Sequence, residues 1–167
     1  MSEGTIAATF LIVFREALEA SLIVGIIMTA LARLSQQRYF PHVIWSSIAA
    51  IVGSIAAGFV LASATKSIQG SAEKMIEGLI SLAACGVLTY MVFWMAAQAR
   101  KIKSKIETRI EMAVTQDEYF VIIALPFLSV FREGAETVLF LKAIAIQNSG
   151  AVSFWGGVSG LALAVTI

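Results

Sequence analysis

The sequence predicts an all-α fold, a polytopic helical membrane protein built from inverted three-helix repeats. Of its 167 residues, 59% are hydrophobic and only 14% are charged, whereas soluble domains average about 45–50% apolar and about 25% charged residues. A ten-residue segment that contains three charges also occurs twice, in two separate apolar stretches. The composition excludes an ordinary soluble domain, and the net charge of +1 gives no basis for nucleic-acid binding.

Four apolar stretches are long enough to cross a bilayer, which takes about 20 residues. Short polar connections separate them, and they cover residues 5–32, 42–64, 75–98 and 119–146. A fifth stretch begins near Ala151 and the sequence ends inside it, so we expect a chain truncated in its fifth span. The predicted organisation is a first three-helix repeat with its following connection over 1–118, and the start of a second, inverted repeat over 119–167.

The first stretch carries its only charges, Arg15, Glu16 and Glu19, near its middle. Arg15 lies about 15 Å into the span at 1.5 Å per residue, too deep to reach the membrane surface. On a helix, Glu16 and Glu19 point the same way, and Arg15 can pair with Glu19 four residues later. Because a charge at the bilayer centre costs about 2.5–3.5 kcal/mol on insertion scales, we expect these side chains to face the protein interior and find partners.

An acidic pair, Glu73 and Glu77, lies at the start of the third stretch. These carboxylates could capture cations at the entrance of a pathway, and Glu77 is the stronger candidate because it lies deeper. The alternative, which applies above all to Glu73, is that acidic residues at a helix N-terminus are favoured by the macrodipole.

Basic residues are unevenly distributed between the connections. Seven lie in the first and third connections, while the opposite side has two, Lys66 and Lys74. Since positive charge marks the cytoplasmic side, the N-terminus should be external. The third connection spaces Ile102, Ile106 and Ile110 four residues apart, with Lys and Glu between them, which fits a helix that extends the third span or lies on the membrane surface. We favour the simpler interpretation, a solvated basic loop that only sets the topology.

The fourth stretch repeats the motif of the first. Phe10–Glu19 and Phe127–Glu136 match at seven of ten positions, including all three charged positions. The two copies are three spans apart, and because three is an odd number they cross the membrane in opposite directions. This is typical of inverted-repeat transporters, in which the substrate site lies near the bilayer midplane between the repeats.

The two copies together carry more negative than positive charge. Four glutamates and two arginines leave a formal charge of −2, and these residues are Arg15, Glu16, Glu19, Arg132, Glu133 and Glu136. In a purely structural site the positive and negative charges should balance. The surplus of negative charge therefore predicts a bound cation, most simply a hard metal ion that prefers carboxylate ligands. Protons taken up by crowded carboxylates, and buried ion pairs that only lock helices together, are the alternative interpretations.

The doubled Arg-Glu-X-X-Glu motif, with the stretch EGLISLAACGVLTYMVFWM from Glu77 to Met95, resembles the oxidase-dependent iron permeases. This family comprises the fungal high-affinity iron permeases and the bacterial EfeU-type ferrous iron permeases, and the resemblance covers essentially the whole chain. It implies that the motif glutamates bind iron during passage and that oxidation of ferrous to ferric ion is coupled to transport. The family typically has glycine after the first glutamate of each motif, and this chain has Ala17 in the first copy and Gly134 in the second.

The resemblance also implies a multi-pass protein of the plasma or inner membrane. Its transported substrate would be the iron ion, with no organic cofactor. Its partners would be membrane lipids and a separate oxidase or an extracellular or periplasmic iron-delivery protein, and homo-oligomer formation is left open.

We therefore predict a transporter and not an enzyme, a membrane permease for iron ions. Its midplane site would comprise Glu16, Glu19, Glu133 and Glu136, supported by ion pairs to Arg15 and Arg132, with Glu77 as a further ligand nearer the entrance. A proton-coupled transporter of another divalent cation or small solute is the alternative. A membrane oxidase is disfavoured because di-iron carboxylate enzymes use Glu-x-x-His motifs, which neither copy supplies. A purely structural membrane subunit would contain no metal.

Overall fold

The computed structural model describes residues 3–66, 71–98, 102–115, 118–147 and 154–166. They form six α-helices and one 3-10 turn (Gln37–Tyr39), with no strand among them. The helices are α1 (Glu3–Arg33), α2 (Phe40–Lys66), α3 (Ser71–Gln98), α4 (Ile102–Thr115), α5 (Tyr119–Gln147) and α6 (Phe154–Thr166). The predicted all-α class is confirmed, and the four long apolar stretches correspond to α1, α2, α3 and α5.

The two ends of α1 show how local sequence defines a helix. Glu3 lies in the first turn and Arg33 in the last, where each charge opposes the nearby end of the helix macrodipole. After the last turn the backbone N–H of Gln36 donates to the carbonyl of Leu31 at 2.8 Å, as in a Schellman motif. Ser35 takes the left-handed conformation that this motif requires, with φ 56°, a place where glycine is usual. The chain therefore leaves α1 at a defined point and enters α2 through the 3-10 turn.

The motif-bearing helices α1 and α5 lie together at the centre of the structure and run antiparallel. Glu16 lies beside Glu133, while Ile27 and Leu31 from the C-terminal part of α1 share a buried cluster with Ile122 near the start of α5. The two most extensive contacts between helices are those of α2 with α5 and of α6 with α1. Besides each other, each motif-bearing helix thus has one further helix as its main neighbour.

The connection that follows α3 is a packed helix, so the solvated basic loop that we favoured from the sequence is wrong. Ile106, Ile110 and Ala113 of α4 are buried in the same cluster as Ile27 and Leu31 of α1. Their spacing places them on one face of the helix, the pattern of an amphipathic helix. Burying that apolar face against the ends of α1 and α5 is favourable, whereas a solvated loop would leave it in water.

Within the described residues, one helical segment is both long and apolar enough by composition to cross a membrane. It covers Gln37–Ser63 and has a mean hydropathy of 2.0. The helices α1 and α5 are longer, with 31 and 29 residues, but carry the motif charges near their centres. Large apolar side chains project outward from α2, as expected for contact with lipid and unusual in contact with water; they are Trp45, Ile48, Ile51, Val52, Ile55, Phe59 and Val60.

An exposed ion pair joins α1 to α4, with Arg33 Nη1 3.3 Å from Glu107 Oε1. Because the Arg33 side chain is 65% exposed, solvent screens the attraction. We therefore expect Arg33→Gln to lower the free energy of unfolding by less than about 1 kcal/mol, measured by thermal unfolding of detergent-purified protein. A loss of several kcal/mol would mean that the ion pair, and not the apolar face of α4, holds this helix in place.

Candidate functional site

The charged groups of the two motifs face each other between α1 and α5. Because each motif lies near the middle of an apolar helix, packing these helices together removes its glutamates from solvent. Glu16 is only 1% exposed and Glu133 only 2%. Glu19 and Glu136, one turn further along their helices, are partly buried, with side chains 12% and 14% exposed. The expectation that these carboxylates turn toward the protein interior agrees with this arrangement.

In the first motif, Arg15 contacts both glutamates. Its Nη1 lies 3.5 Å from Glu16 Oε1, and its Nε donates a hydrogen bond of 3.0 Å to Glu19 Oε1. The pairing of residues four apart, predicted from helix geometry, is present.

The second motif repeats these contacts. Arg132 Nη2 lies 3.0 Å from Glu133 Oε1, and its Nε lies 3.3 Å from Glu136 Oε1. Arg132 is more exposed than its counterpart, with 43% of its side chain accessible against 30% for Arg15. Solvent therefore weakens the attraction of Arg132 for its carboxylates more than that of Arg15.

Stacked phenylalanine pairs precede both motifs. The rings of Phe10 and Phe14 have centroids 5.9 Å apart and planes inclined by 1°; those of Phe127 and Phe131 are 5.8 Å apart and inclined by 7°. The repeated sequence therefore produces a repeated local structure as well as a repeated set of charges. Since α1 and α5 are antiparallel, the two aromatic pairs lie on opposite sides of the carboxylates.

The innermost carboxylates lack hydrogen-bond donors. Both side-chain oxygens of Glu16 and both of Glu133 are buried without a hydrogen-bond partner among the described residues, as is Oε2 of Glu136. Their contacts with the arginines are ion pairs that lack hydrogen-bond geometry. An unsatisfied buried polar group costs about 1–3 kcal/mol, and a charged one costs more. Five such oxygens in one place require an explanation, and two occupants supply one: a cation bound by ionised carboxylates, or a proton shared between neighbouring carboxyl groups.

Three of the four predicted glutamates bring oxygens within reach of one ion. One carboxylate oxygen from each of Glu16, Glu19 and Glu133 lies within 4.8 Å of the other two. Two oxygens that bind one hard cation at about 2.0–2.6 Å are at most about 5 Å apart, so this spacing fits a shared ion. Glu136 is not part of this group, and its role as a ligand stays a prediction.

The predicted entrance residues, Glu73 and Glu77, both belong to α3. Their side chains lie outside the part of the structure that is described. The entrance site stays a prediction.

His42 lies away from the carboxylates. It contacts Tyr39 and Tyr119 near the start of α5, with ring centroids 6.1 and 6.3 Å from its own. As this is the only histidine of the chain, the carboxylate cluster has oxygen ligands alone to offer.

Two small residues beside the motifs were not identified from the sequence. Ser54 of α2 is buried against Gly134, the residue that follows Glu133. On the other side, a Cβ atom at Gly160 of α6 would lie 2.7 Å from the backbone oxygen of Phe10. Serine and glycine inside apolar spans are a general signal of close helix packing, but they do not reveal which helix they contact.

Comparison with known proteins gives consistent results. Residues 6–167 match the model of the iron permease FTR1 family. The chain is 34% identical over 160 residues to the ferrous iron permease EfeU of Yersinia pestis, covering 95% of this chain and 57% of that protein. It is 32% identical over 161 residues to EfeU of Escherichia coli O6:H1, covering 95% and 58%. The chain thus spans a little over half the length of these curated relatives, and no solved structure matches it.

Proposed function

The chain belongs to the iron permease FTR1 family, and from this premise we propose that it forms part of a membrane permease whose buried carboxylates bind iron ions during translocation. The observation that carries this function is the pair Glu16 and Glu133, buried face to face without hydrogen-bond donors, with Glu19 beside them. The relatives in Yersinia pestis and Escherichia coli are named ferrous iron permeases, which supports iron as the transported ion.

The charges of the site suit a cation that binds and leaves again. Arg15 and Arg132 partly offset the repulsion between the carboxylates when no ion is bound, because each contacts the glutamates of its own motif. The remaining formal charge of −2 attracts a divalent or trivalent ion, and opposite charges interact more strongly away from water. An entering ion supplies a ligand partner for the oxygens of Glu16 and Glu133 that have no hydrogen bond, and competition from the arginines keeps its binding weak enough for release.

We place the site at the interface of two inverted repeats, the first over 1–118 and the second beginning at 119, with an external N-terminus and several membrane crossings. The antiparallel course of α1 and α5 supports this arrangement, as do the backing of each by one helix and the matching phenylalanine stacks. In transporters of this type, the binding site lies near the bilayer midplane and one repeat moves against the other.

Transport fits the chain better than enzymatic oxidation of iron, because the family is one of permeases and the carboxylate cluster includes no histidine. We assign any oxidation of the transported ion to a separate oxidase or delivery partner. Competition of iron uptake by other divalent ions, together with its response to an imposed pH gradient, separates an iron permease from a proton-coupled carrier of another solute.

Glu19→Gln and Glu136→Gln form a matched pair that tests the site. Both residues pair with the arginine of their own motif and have similar exposure, but only Glu19 has an oxygen within the three-residue cluster. We expect Glu19→Gln, which changes a proposed ligand, to weaken Fe²⁺ binding more than the roughly 10- to 100-fold that changing an outer partner costs, and Glu136→Gln to weaken it by no more than that. Anaerobic titration of the purified natural gene product that contains this chain measures both affinities. Equal losses would indicate a symmetric four-glutamate site, and unchanged affinity in both variants would count against the proposed function.

A further inference from the structure

Hydroxyl groups of α2 meet backbone carbonyls of α5 at two matching positions. Ser46 Oγ donates to the carbonyl of Ile123 at 2.9 Å. Two turns later, Ser54 Oγ donates to the carbonyl of Ala50 in its own helix at 2.8 Å and also lies 3.4 Å from the carbonyl of Phe131. Each serine contacts the carbonyl 77 residues further along the chain. The two contacts therefore specify one axial register of α2 against α5.

Gly134 allows Ser54 to approach the backbone of α5. A Cβ atom added at Gly134 would lie 2.6 Å from Ser54 Cβ, and closer still to its hydroxyl oxygen. Carbon atoms that are not bonded do not approach so closely, so a side chain at this position would force the two helices apart. Ser54 is also 3% exposed, which leaves it little room to move aside.

The other close contacts between these helices can adjust more easily. A Cβ atom at Gly53 would meet the ring of Phe131 at 3.5 Å, and one at Gly58 would meet the methyl groups of Val138 at 3.2 Å. Both neighbours are side chains that can rotate. The Ser54 contact instead includes a Cβ atom, whose position follows from the backbone of α2. It is therefore the contact most sensitive to the position of α5.

We propose that Ser54 is a positioning residue for the metal site: seated against Gly134 and the carbonyl of Phe131, it sets the rotation and register of α5 and hence the direction of Glu133. This role rests on the proposed function. Glu133 and Gly134 are consecutive, so their directions differ by about 100° around the helix axis. Ser54 acts from the α2 side while Glu133 faces α1. Because ligands must be held within about 0.5 Å and 10–20° of a productive geometry, a small displacement of α5 is enough to impair the site.

Enlarging the side chain at position 134 while shrinking the one at position 54 tests this role of Ser54. Gly134→Ala should lower the affinity for Fe²⁺ about 10- to 100-fold, measured anaerobically on the detergent-purified natural gene product that contains this chain. Adding Ser54→Gly should restore most of the lost affinity, since it removes both the Cβ atom and the hydroxyl group. Adding Ser54→Ala should restore less, because the Cβ atom remains. Gly86→Ala on α3, where an added Cβ meets nothing within 4 Å, is the matched control and should bind normally.

Unfolding measured on the same samples separates positioning from general packing. Recovery of stability without recovery of affinity in the Ser54→Gly, Gly134→Ala protein would overturn the positioning role, and so would unchanged affinity in Gly134→Ala. If Gly134→Ala cannot be purified alone, the two double variants carry the test, and equal affinities would overturn the role. Glu133→Gln tests the proposed metal-binding function itself. If this variant also binds Fe²⁺ normally, the proposed function is wrong, and so is the role of Ser54 that rests on it.

Discussion

Glu16→Gln and Glu133→Gln should each abolish iron uptake while the protein stays folded in the membrane. Glutamine keeps the shape of the side chain but removes the negative charge that attracts the ion. The loss in metal affinity should exceed the roughly 10- to 100-fold that changing an outer partner costs, because these carboxylates are the proposed ligands. Stability should hold or rise, since the change relieves repulsion among four crowded carboxylates while Arg15 and Arg132 keep Glu19 and Glu136 as partners.

Uptake of radioactive iron by cells, with the amount of variant protein in the membrane measured in parallel, checks this result. Glu111→Gln is the matched control, because it makes the same chemical change at an exposed position of α4. It should transport at the native rate. Normal uptake in both Glu16→Gln and Glu133→Gln would overturn the carboxylate site, whereas loss of the protein from the membrane would show that these residues are needed for folding.

Gly160→Ala should destabilise the protein by about 1–3 kcal/mol or more and reduce uptake. The added Cβ would lie 2.7 Å from the backbone oxygen of Phe10 and 3.0 Å from the backbone nitrogen of Phe14. These atoms belong to the backbone of α1, so they cannot rotate away from the added Cβ. Either α6 moves off α1 or α1 bends, and the second response displaces Glu16, which lies half a turn beyond Phe14.

Gly25→Ala in α1 provides the control for this substitution. An added Cβ there meets nothing within 4 Å, so the higher helix propensity of alanine should raise stability by up to about 1 kcal/mol. The two glycine variants should therefore change the midpoint of thermal unfolding in opposite directions. A stabilising Gly160→Ala would mean that α6 does not pack against the backbone of α1.

The positions of the long helices could be predicted from the sequence, because about 20 consecutive apolar residues and the spacing of charges are local properties. The ion pairs within each motif could be predicted for the same reason, since Arg15 and Glu19 are one helical turn apart. The packing of α4 was missed, because the sequence gives equal weight to the lysines that favour solvent and to Ile106 and Ile110. Only the contact with α1 and α5 decides between them.

The sequence also did not predict which helix each small residue contacts. The resemblance to the permease family implies a glycine at the position of Ala17 in the first motif. In the structure, the close contact between α1 and α6 is made by Gly160, which lies on α6 and not on the motif-bearing helix. The close contact between α5 and α2 is made by Gly134, which lies on the motif-bearing helix itself. Which helix carries the glycine depends on how two helices cross, and the sequence of one helix does not contain that information.

The sequence by itself contains the two Arg-Glu-X-X-Glu motifs and their surplus of two negative charges. It also separates the two motifs by three predicted spans, from which we expect their helices to run in opposite directions. These features follow from residue types and helical periodicity, which act over a few residues. The selection of Glu16, Glu19 and Glu133 as the cluster, with Glu136 outside it, was decided by the tertiary structure. That selection depends on distances between side chains more than 100 residues apart. Such distances depend on how α1 and α5 pack against each other and against α6 and α2.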